Sequence, residues 1–274
     1  MEYRVLGALE AHDGTGVVEL SPRLRDLLAV LLSRAGEPVS VSRIAEALWG
    51  SEPPRSAPKT TQIYVHHLRR ALGGRLQIEH RGGGYVLAEH KEVDAARFED
   101  FSAQGYTAMA EHDHDRAVHL FRRALYLWRG PAFDGQESLP MVREEAARLE
   151  ALRQQVSEDR VEAELALGHH GDLVAELMAT VAANPLRERL RAQLMIALHR
   201  CGRRAEALAV YREGRTLLAR ELGLEPGPHL RRAEHLILTD ASEGLTVRCP
   251  NCRTSIALRH NGNRTTRRSK IMGA

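Results

Sequence analysis

The order of the predicted elements near the start of the chain restricts its fold more than any other feature of the sequence. Apolar residues recur at helical spacing from Ser21 to Gly36, from Ser40 to Gly50 and from Lys59 to Leu72. The two serines are good N-caps, and the two glycines stop the first two segments. From Leu76 to Leu87, two alternating runs flank a glycine-rich turn, which predicts a β-hairpin.

Two strand patterns precede the first helix. Tyr3–Gly7 and Val17–Leu20 flank a turn that contains Gly14 and Gly16, which predicts a small antiparallel sheet. A sheet, three helices and a terminal hairpin in this order describe a winged helix. In that fold the third helix enters the major groove of DNA, and the tip of the hairpin reaches the neighbouring backbone.

The third helix lies in a segment with an uneven charge distribution. Pro53 to Ile78 contains no Asp or Glu, whereas the whole chain has 39 Lys and Arg against 36 Asp and Glu, a formal net charge of +3. The basic residues and histidines of the segment are Arg55, Lys59, His66, His67, Arg69, Arg70 and Arg75. Because the net charge of the chain is small, binding to phosphate must depend on this local cluster.

The two faces of the third helix differ in chemistry. If each residue advances about 100° around the axis, one stripe is predicted to be buried and the opposite one exposed. The buried stripe comprises Thr61, Tyr64, Val65, Leu68, Ala71 and Leu72, and the exposed one Lys59, Gln62, Ile63, His66 and Arg70, with His67 and Arg69 on its flanks. The cations can bind phosphate or guanine, the amide of Gln62 can pair with adenine, and Ile63 can contact the methyl group of thymine. The alternative is a basic face that is only solvated.

Four motifs connect this half of the chain with a known family. They are Leu20–Leu28 in the first helix, Ile44–Gly50 at the end of the second, Gln62–Gly73 on the third and Arg81–Tyr85 in the hairpin. In this order and spacing they resemble the OmpR-type winged-helix DNA-binding domain. Residues 1–240 as a whole resemble the Streptomyces antibiotic regulatory proteins, which are pathway-specific activators of gene clusters for secondary metabolites.

The helical faces and the resemblance together predict the DNA-binding residues. They are Lys59, Thr60, Gln62, Ile63, His66, His67, Arg69 and Arg70 on the recognition helix, Ser21 and Arg23 at the first helix, and Arg81 on the wing. Two positions depart from the family pattern, since Thr61 stands where a leucine-like residue is usual and His67 where Arg or Lys is common. Histidine changes its charge between about pH 5 and 8, whereas Arg and Lys stay charged. The contact of His67 with DNA is therefore expected to be weaker than that of an Arg or Lys.

The second half of the sequence is almost wholly helical. Two helices, around Phe98–Met109 and Ala117–Trp128, precede a connection with Gly and Pro, and a long helix follows from Met141 to Leu167. Gly171–Leu177 and Gly202–Leu208 repeat one turn-plus-helix unit. These units resemble tetratricopeptide repeats, whose helix pairs stack and expose a surface for a partner. The resemblance implies a bacterial transcriptional activator domain that self-associates and contacts RNA polymerase.

The tail from Ala241 differs in composition from the rest. Cys249 and Cys252 have the C-x-x-C spacing of a zinc site, with His260 as a third candidate ligand. A structural zinc site normally has four ligands, and the sequence has no second C-x-x-C, so redox-active or incidental thiols are the alternative. The basic residues beyond lack apolar periodicity, which predicts a disordered arm that either adds salt-sensitive affinity for DNA or is inert.

The predicted architecture is mainly α with a small β component. It places a winged helix-turn-helix at residues 1–92, a tetratricopeptide-like α-helical domain at 93–240 and a basic tail at 241–274. The sequence contains no P-loop, no nucleophile elbow and no metalloprotease motif, so we expect neither enzymatic activity nor a cofactor. It has no run of apolar residues that would span a bilayer and no secretory leader, which predicts a cytoplasmic, nucleoid-associated protein without a membrane partner.

Two functions remain open at the level of sequence. In the first, the chain is a sequence-specific transcriptional activator. It binds direct repeats in promoters as a homodimer or side-by-side oligomer on double-stranded DNA and recruits RNA polymerase. In the second, it is a tetratricopeptide-type adaptor whose winged helix binds protein. A salt titration separates them, because neutralising phosphates makes the affinity for DNA fall as salt rises.

Overall fold

The structure is a computed structural model that describes residues 1–73, 78–88 and 92–239, together with the backbone of residues 245–248 and 255–258. It consists of two compact units, Met1–His169 and His170–Ala274. We call them the N-terminal unit and the C-terminal unit and describe each by itself. Within the described residues, no helix combines the length and the apolar character needed to cross a bilayer.

The N-terminal unit contains the winged helix and the three helices that follow it. Its elements are β1 (Glu2–Arg4), β2 (Glu10–His12), α1 (Pro22–Leu32), β3 (Val39–Ser40), α2 (Val41–Trp49), α3 (Ala57–Ala71), β4 (Ile78–Arg81), β5 (Gly84–Leu87), α4 (Asp94–Ala110), α5 (His114–Tyr126) and α6 (Pro140–Ala166). The mainly helical class with small sheets, and the order of a winged helix followed by helical pairs, agree with the prediction.

Two small sheets frame the winged helix. Strand β1 pairs with β2 in antiparallel register, and the second sheet has the order β3-β5-β4 with both pairs antiparallel. The prediction of a strand at Val17–Leu20 is wrong, because this stretch meets β2 only at the His12–Val17 bridge. The turn at residues 13–16, in which the Asp13 carboxylate accepts hydrogen bonds from the N–H groups of Thr15 and Gly16, brings the chain back to β2 for this one bridge.

Helices α1 and α2 begin after Ser21 and Ser40 as predicted, whereas α1 ends at Leu32, before the predicted stop at Gly36. Pro22 opens α1 after Ser21, whose own side chain makes no hydrogen bond to the helix end. The Ser40 side chain accepts a hydrogen bond from the N–H of Arg43 and so caps α2, which ends at Gly50 with a φ of 81°. The core beneath the three helices consists of leucine, isoleucine and valine side chains, chiefly Leu27, Leu28, Leu31, Ile44, Val65, Leu68, Leu72 and Leu87.

The backbone that follows β1 is hydrogen-bonded to the helical part of the same unit. Backbone N–H groups of Arg129 and Phe133 donate to the carbonyls of Leu6 and Val5, each over 2.7 Å. In the other direction, the Asp94 carboxylate accepts from the N–H groups of Val5 at 2.8 Å and Leu6 at 3.2 Å. Burial raises the pKa of this carboxyl, while the same N–H groups lower it. The helices α4–α6 therefore belong to one packed unit with the winged helix, and the domain limits at residues 92 and 240 stay a prediction.

The C-terminal unit is built from packed helices. They are α7 (His170–Ala183), α8 (Glu188–Arg200), α9 (Arg204–Leu222) and α10 (Pro228–Thr239), and α8 packs against the other three. Gly202 and Gly223 take positive φ values of 77° and 67° at the turns that follow α8 and α9. The two predicted turn-plus-helix units coincide with the beginnings of α7 and α9.

The tail contains a short pair of strands. Strands β6 (Leu245–Arg248) and β7 (Ser255–Leu258) pair in antiparallel register, Leu245 opposite Leu258. The sequence predicts no regular structure here, because runs of four residues with only one or two β-branched side chains are a weak signal for a strand. Cys249, Cys252 and His260, the candidate metal ligands, lie outside the described residues.

Candidate nucleic-acid interface

Helix α3 buries a narrow apolar stripe. Ala57, Thr61, Val65 and Leu68 are buried at spacings of four, four and three residues, and Leu72 continues the stripe just after the helix. The prediction that Ala71 is buried is wrong, because this residue is exposed. At about 100° per residue it lies roughly 90° from the centre of the stripe, too far round the axis to reach the core.

Tyr64, on the edge of the same stripe, is half-buried. Its ring stacks on that of Trp49 at the end of α2, with the centroids 6.1 Å apart and the planes inclined by 12°. This aromatic pair contributes to the packing of α3 against α2.

The opposite face of α3 is open to solvent. Lys59, Gln62, Ile63, His66 and Arg70 are all exposed, and the isoleucine shows 46% of its surface. From the lysine to the arginine the face is about 16 Å long at a rise of 1.5 Å per residue. A helix with such a face matches the width of the major groove, which admits one α-helix.

The exposed face carries cations that are not neutralised. No acidic residue lies in the first turn of α3, and Arg69 and Arg70 lie in its last turn. Among the ion pairs of residues 1–73, 78–88 and 92–239, none involves Lys59, His66, His67 or Arg70. The rings of the two histidines meet edge to face, with centroids 6.0 Å apart. These charges remain available for an anionic partner.

Arg69 and Arg23 have partners inside the protein. Arg69 is half-buried and donates a hydrogen bond from its guanidinium to the backbone carbonyl of Ile78, the first residue of β4. Arg23 donates to the carbonyl of Leu48 at 2.9 Å, and its guanidinium lies 3.7 Å from the Asp26 carboxylate. The sequence predicts both arginines as DNA contacts, and the structure ties each of them to the end of a neighbouring element.

The three other predicted contacts lie at the surface in different settings. Ser21 is exposed at the N-terminus of α1, where backbone N–H groups point outward. Thr60 is half-buried and donates from its hydroxyl to the carbonyl of Ser56 at 3.0 Å. Arg81 is exposed on β4 and forms an ion pair with Glu79 at 2.6 Å.

The glycine run of the hairpin is required by backbone geometry. Gly82 and Gly83 have φ values of 59° and 76°, which fits a two-residue type I′ turn between Arg81 and Gly84. A Cβ atom on Gly84 would lie 2.2 Å from the carbonyl oxygen of Val39 in β3. The run therefore shapes the wing, and it presents no helix N-terminus of the kind that cradles phosphate.

Sequence reasoning misses the partners of three arginines. An edge position for Arg69, about 80° from the buried stripe on the helical wheel, is a signal that it faces a neighbouring element. The alternation of side chains along β4 places Glu79 on the same face as Arg81, whereas no local pattern predicts that Arg23 reaches Leu48, 25 residues away. Within the described residues, no group of three or more His, Cys, Asp and Glu side chains is placed to hold a metal ion.

Two family models match the chain in the order that the fold shows. Residues 14–87 match "Transcriptional regulatory protein, C terminal", and residues 93–238 match "Bacterial transcriptional activator domain". The regulatory protein DnrI of Streptomyces peucetius is 38% identical over 250 residues, which cover 87% of this chain and 92% of DnrI. The chain belongs to the Streptomyces antibiotic regulatory protein family.

Other members of this family are longer. The regulatory protein AfsR of Streptomyces griseus is 38% identical over 87% of this chain, which spans only 24% of AfsR. The structure of Mycobacterium tuberculosis EmbR in complex with a low-affinity phosphopeptide superposes with a TM-score of 0.83 at 32% identity, covering 87% of this chain and 65% of EmbR. These relatives are named as regulators. The family to which the chain belongs is therefore one of transcriptional regulators and not one of enzymes.

Proposed function

We propose that the chain is a sequence-specific, DNA-binding activator of transcription and that α3 reads bases in the major groove. One observation carries the proposal: Lys59, Gln62, Ile63, His66 and Arg70 share one exposed face of a helix whose opposite face is buried. A face that was only solvated would not need an exposed isoleucine between cations and an amide. The match of residues 14–87 to a transcriptional regulatory domain supports the same function.

Each side chain on this face has a chemical counterpart in duplex DNA. Arg70 suits the O6 and N7 acceptors of guanine, Gln62 suits adenine, and Ile63 suits the methyl group of thymine. Lys59 neutralises a phosphate near the start of α3. Arg81 neutralises another phosphate from the wing after its ion pair with Glu79 breaks.

The N-terminus of α1 adds a contact that needs no charged side chain. Its first backbone N–H groups and the exposed hydroxyl of Ser21 are oriented for a phosphate oxygen. Contacts of this type set the register of the protein on the duplex, and they carry no sequence information themselves.

The biological setting follows from the family. We propose that subunits lie side by side on direct repeats near a promoter, that α4–α10 mediate self-association, and that they recruit RNA polymerase. The regulated genes are those of a secondary-metabolite cluster, and the protein acts at the nucleoid. Support comes from the match of residues 93–238 to a bacterial transcriptional activator domain and from relatives such as DnrI.

A salt titration of duplex binding tests the proposal. The probe is a labelled duplex that the wild-type protein selects from a random-sequence library. With permanent cations on phosphates at Lys59 and Arg81, log K is expected to fall against log salt with a slope of about −2 or steeper. A protein that binds no duplex, or binds one without salt dependence, would instead support the adaptor hypothesis, in which the winged helix binds protein.

Replacing Arg70 tests the assignment of the reading face. Arg70→Ala is expected to lower the affinity for the selected duplex by about 1–3 kcal/mol and to relax preference at one base pair. Lys59→Ala is expected to lower the affinity for the selected duplex and for mixed-sequence duplexes to a similar extent. Arg116→Ala, on an exposed position of α5, removes the same charge elsewhere and serves as the control. If Arg70→Ala behaves like this control, α3 does not read the bases.

A further inference from the structure

We propose that Arg69 is a positioning residue that sets the wing against α3 and does not itself contact DNA. The inference rests on the proposed function and assigns this arginine a role different from that of its neighbour Arg70. It starts from a directional bond between α3 and β4. The guanidinium of Arg69, in the last turn of α3, donates to the backbone carbonyl of Ile78, where β4 begins.

The surroundings of this bond favour a structural role. Leu68 and Leu72 are buried on α3, and the side chain of Ile78 is buried at the start of β4. Burial in the same core keeps the two elements near each other but does not fix their angle, because the hydrophobic effect is non-directional. A charge-assisted hydrogen bond from a planar guanidinium is directional and about twice as strong as a neutral one, so it supplies the missing constraint.

The position of the bond gives it leverage over the wing tip. Ile78 and Arg81 are the first and last residues of β4, so they lie about 10 Å apart at the usual rise of a strand. A rotation of β4 by roughly 10° around Ile78 would therefore displace Arg81 by about 2 Å. Strand β5 is held by β3 and α1, whereas β4 is the outer strand of the order β3-β5-β4, so its angle is the less restrained of the two.

Arg70 provides the internal comparison. It is one residue further along α3, carries the same charge and is exposed on the reading face. Arg69 is half-buried, and its guanidinium donates a hydrogen bond to a backbone carbonyl. The two neighbouring arginines therefore have different roles. Arg70 meets the nucleic acid, while Arg69 determines where the wing, and with it Arg81, meets the nucleic acid.

A double-mutant cycle separates positioning from direct contact. The affinities of wild type, Arg69→Ala, Arg81→Ala and the double variant are measured on the selected duplex across a salt series. Each single variant is expected to lose about threefold to tenfold in affinity and about one unit of salt slope. If Arg69 acts through the wing, the double variant binds no more weakly than Arg81→Ala. If the two losses multiply, Arg69 makes its own contact and the inference is wrong.

Hydrogen exchange on the free protein tests the same inference without DNA. In Arg69→Ala, the amides of β4 and β5 are expected to exchange about tenfold faster or more, the factor that corresponds to one charge-assisted hydrogen bond, while those of α1 keep their protection. Arg70→Ala is the matched control and should leave the wing unchanged. Unaltered exchange of the wing in Arg69→Ala would overturn the inference.

Arg69→Lys covers the case in which the alanine variant does not fold. Lysine keeps the charge but lacks the planar fork, so a phosphate contact predicts nearly wild-type affinity. If Arg69 positions the wing, Arg69→Lys is expected to speed the amide exchange of the wing and to lower the affinity for the duplex. This loss of affinity should be absent when Arg81→Ala is also present. If the wild-type protein binds no duplex, the proposed function fails, and the exchange measurement still decides whether Arg69 holds the wing.

Discussion

Replacing Thr61 with valine tests how α3 is held in the winged helix. Thr61 lies on the buried stripe of α3 with none of its surface exposed, and its hydroxyl oxygen has no hydrogen-bond partner among the described residues. A threonine in a helix usually donates to the carbonyl four residues earlier, and here that bond is not formed. The site therefore buries a polar group without compensation.

The magnitude of the effect follows from this burial. An unpaired buried hydroxyl costs about 1–3 kcal/mol, and valine has nearly the same shape and helix propensity. The added methyl group needs slightly more room than the hydroxyl, and this packing cost offsets part of the gain. We expect Thr61→Val to raise the free energy of unfolding by about 1–2 kcal/mol, or the melting temperature of the N-terminal unit by about 2–6 °C.

Urea and thermal unfolding followed by tryptophan fluorescence measure this change. Both tryptophans of the chain, Trp49 and Trp128, lie in the N-terminal unit, so their emission reports on it. The matched control is Thr60→Val, one residue away, where the hydroxyl donates to the carbonyl of Ser56. That variant loses a hydrogen bond and is expected to be neutral or slightly destabilised. If Thr61→Val is no more stable than this control, the hydroxyl of Thr61 is satisfied in solution and the reasoning fails.

Three further substitutions probe the wing and the packing of the N-terminal unit. Gly84→Ala places a methyl group 2.2 Å from the Val39 carbonyl oxygen, and it is expected to cost about 2–3 kcal/mol or more in urea unfolding; an unchanged midpoint would show that β3 yields freely. Glu79→Gln releases Arg81 from its ion pair and should raise duplex affinity by about twofold to fivefold, since exposed pairs contribute at most about 1 kcal/mol; unchanged or weaker binding in fluorescence anisotropy would argue against a wing contact. Asp94→Asn leaves one of two backbone N–H groups without its acceptor, which should lower the stability by about 1–3 kcal/mol in thermal unfolding; an identical melting temperature would contradict this.

Local periodicity predicts the helical part of the fold well. The start signals at Ser21 and Ser40 and the stop at Gly50 agree with α1 and α2 to within a few residues. The exposed face of α3 follows from helical geometry alone, because a helix of 3.6 residues per turn fixes which residues share a side. The predicted buried stripe is too wide, because it includes Ala71, which the same geometry places at the margin of the helix and which is exposed.

Long-range contacts explain what the sequence does not predict. The strand opposite β1 is β2, because the chain already reverses between Arg4 and Glu10, whereas the turn that contains Gly14 and Gly16 lies beyond β2. The partners of Arg23 and Arg69 are main-chain carbonyls, which every residue has, so no side-chain pattern marks them. The type I′ turn at Gly82-Gly83, by contrast, is readable from the sequence because two adjacent residues with positive φ favour glycine strongly.

The backbone bonds between residues 5–6 and residues 129–133 have a mechanical consequence. They fasten the stretch just after β1 to the connection between α5 and α6 inside the N-terminal unit. Movement of that connection would therefore be transmitted to the backbone that follows β1. Cutting the chain after residue 92 would remove these partners and leave the N–H groups and carbonyls of Val5 and Leu6 without them.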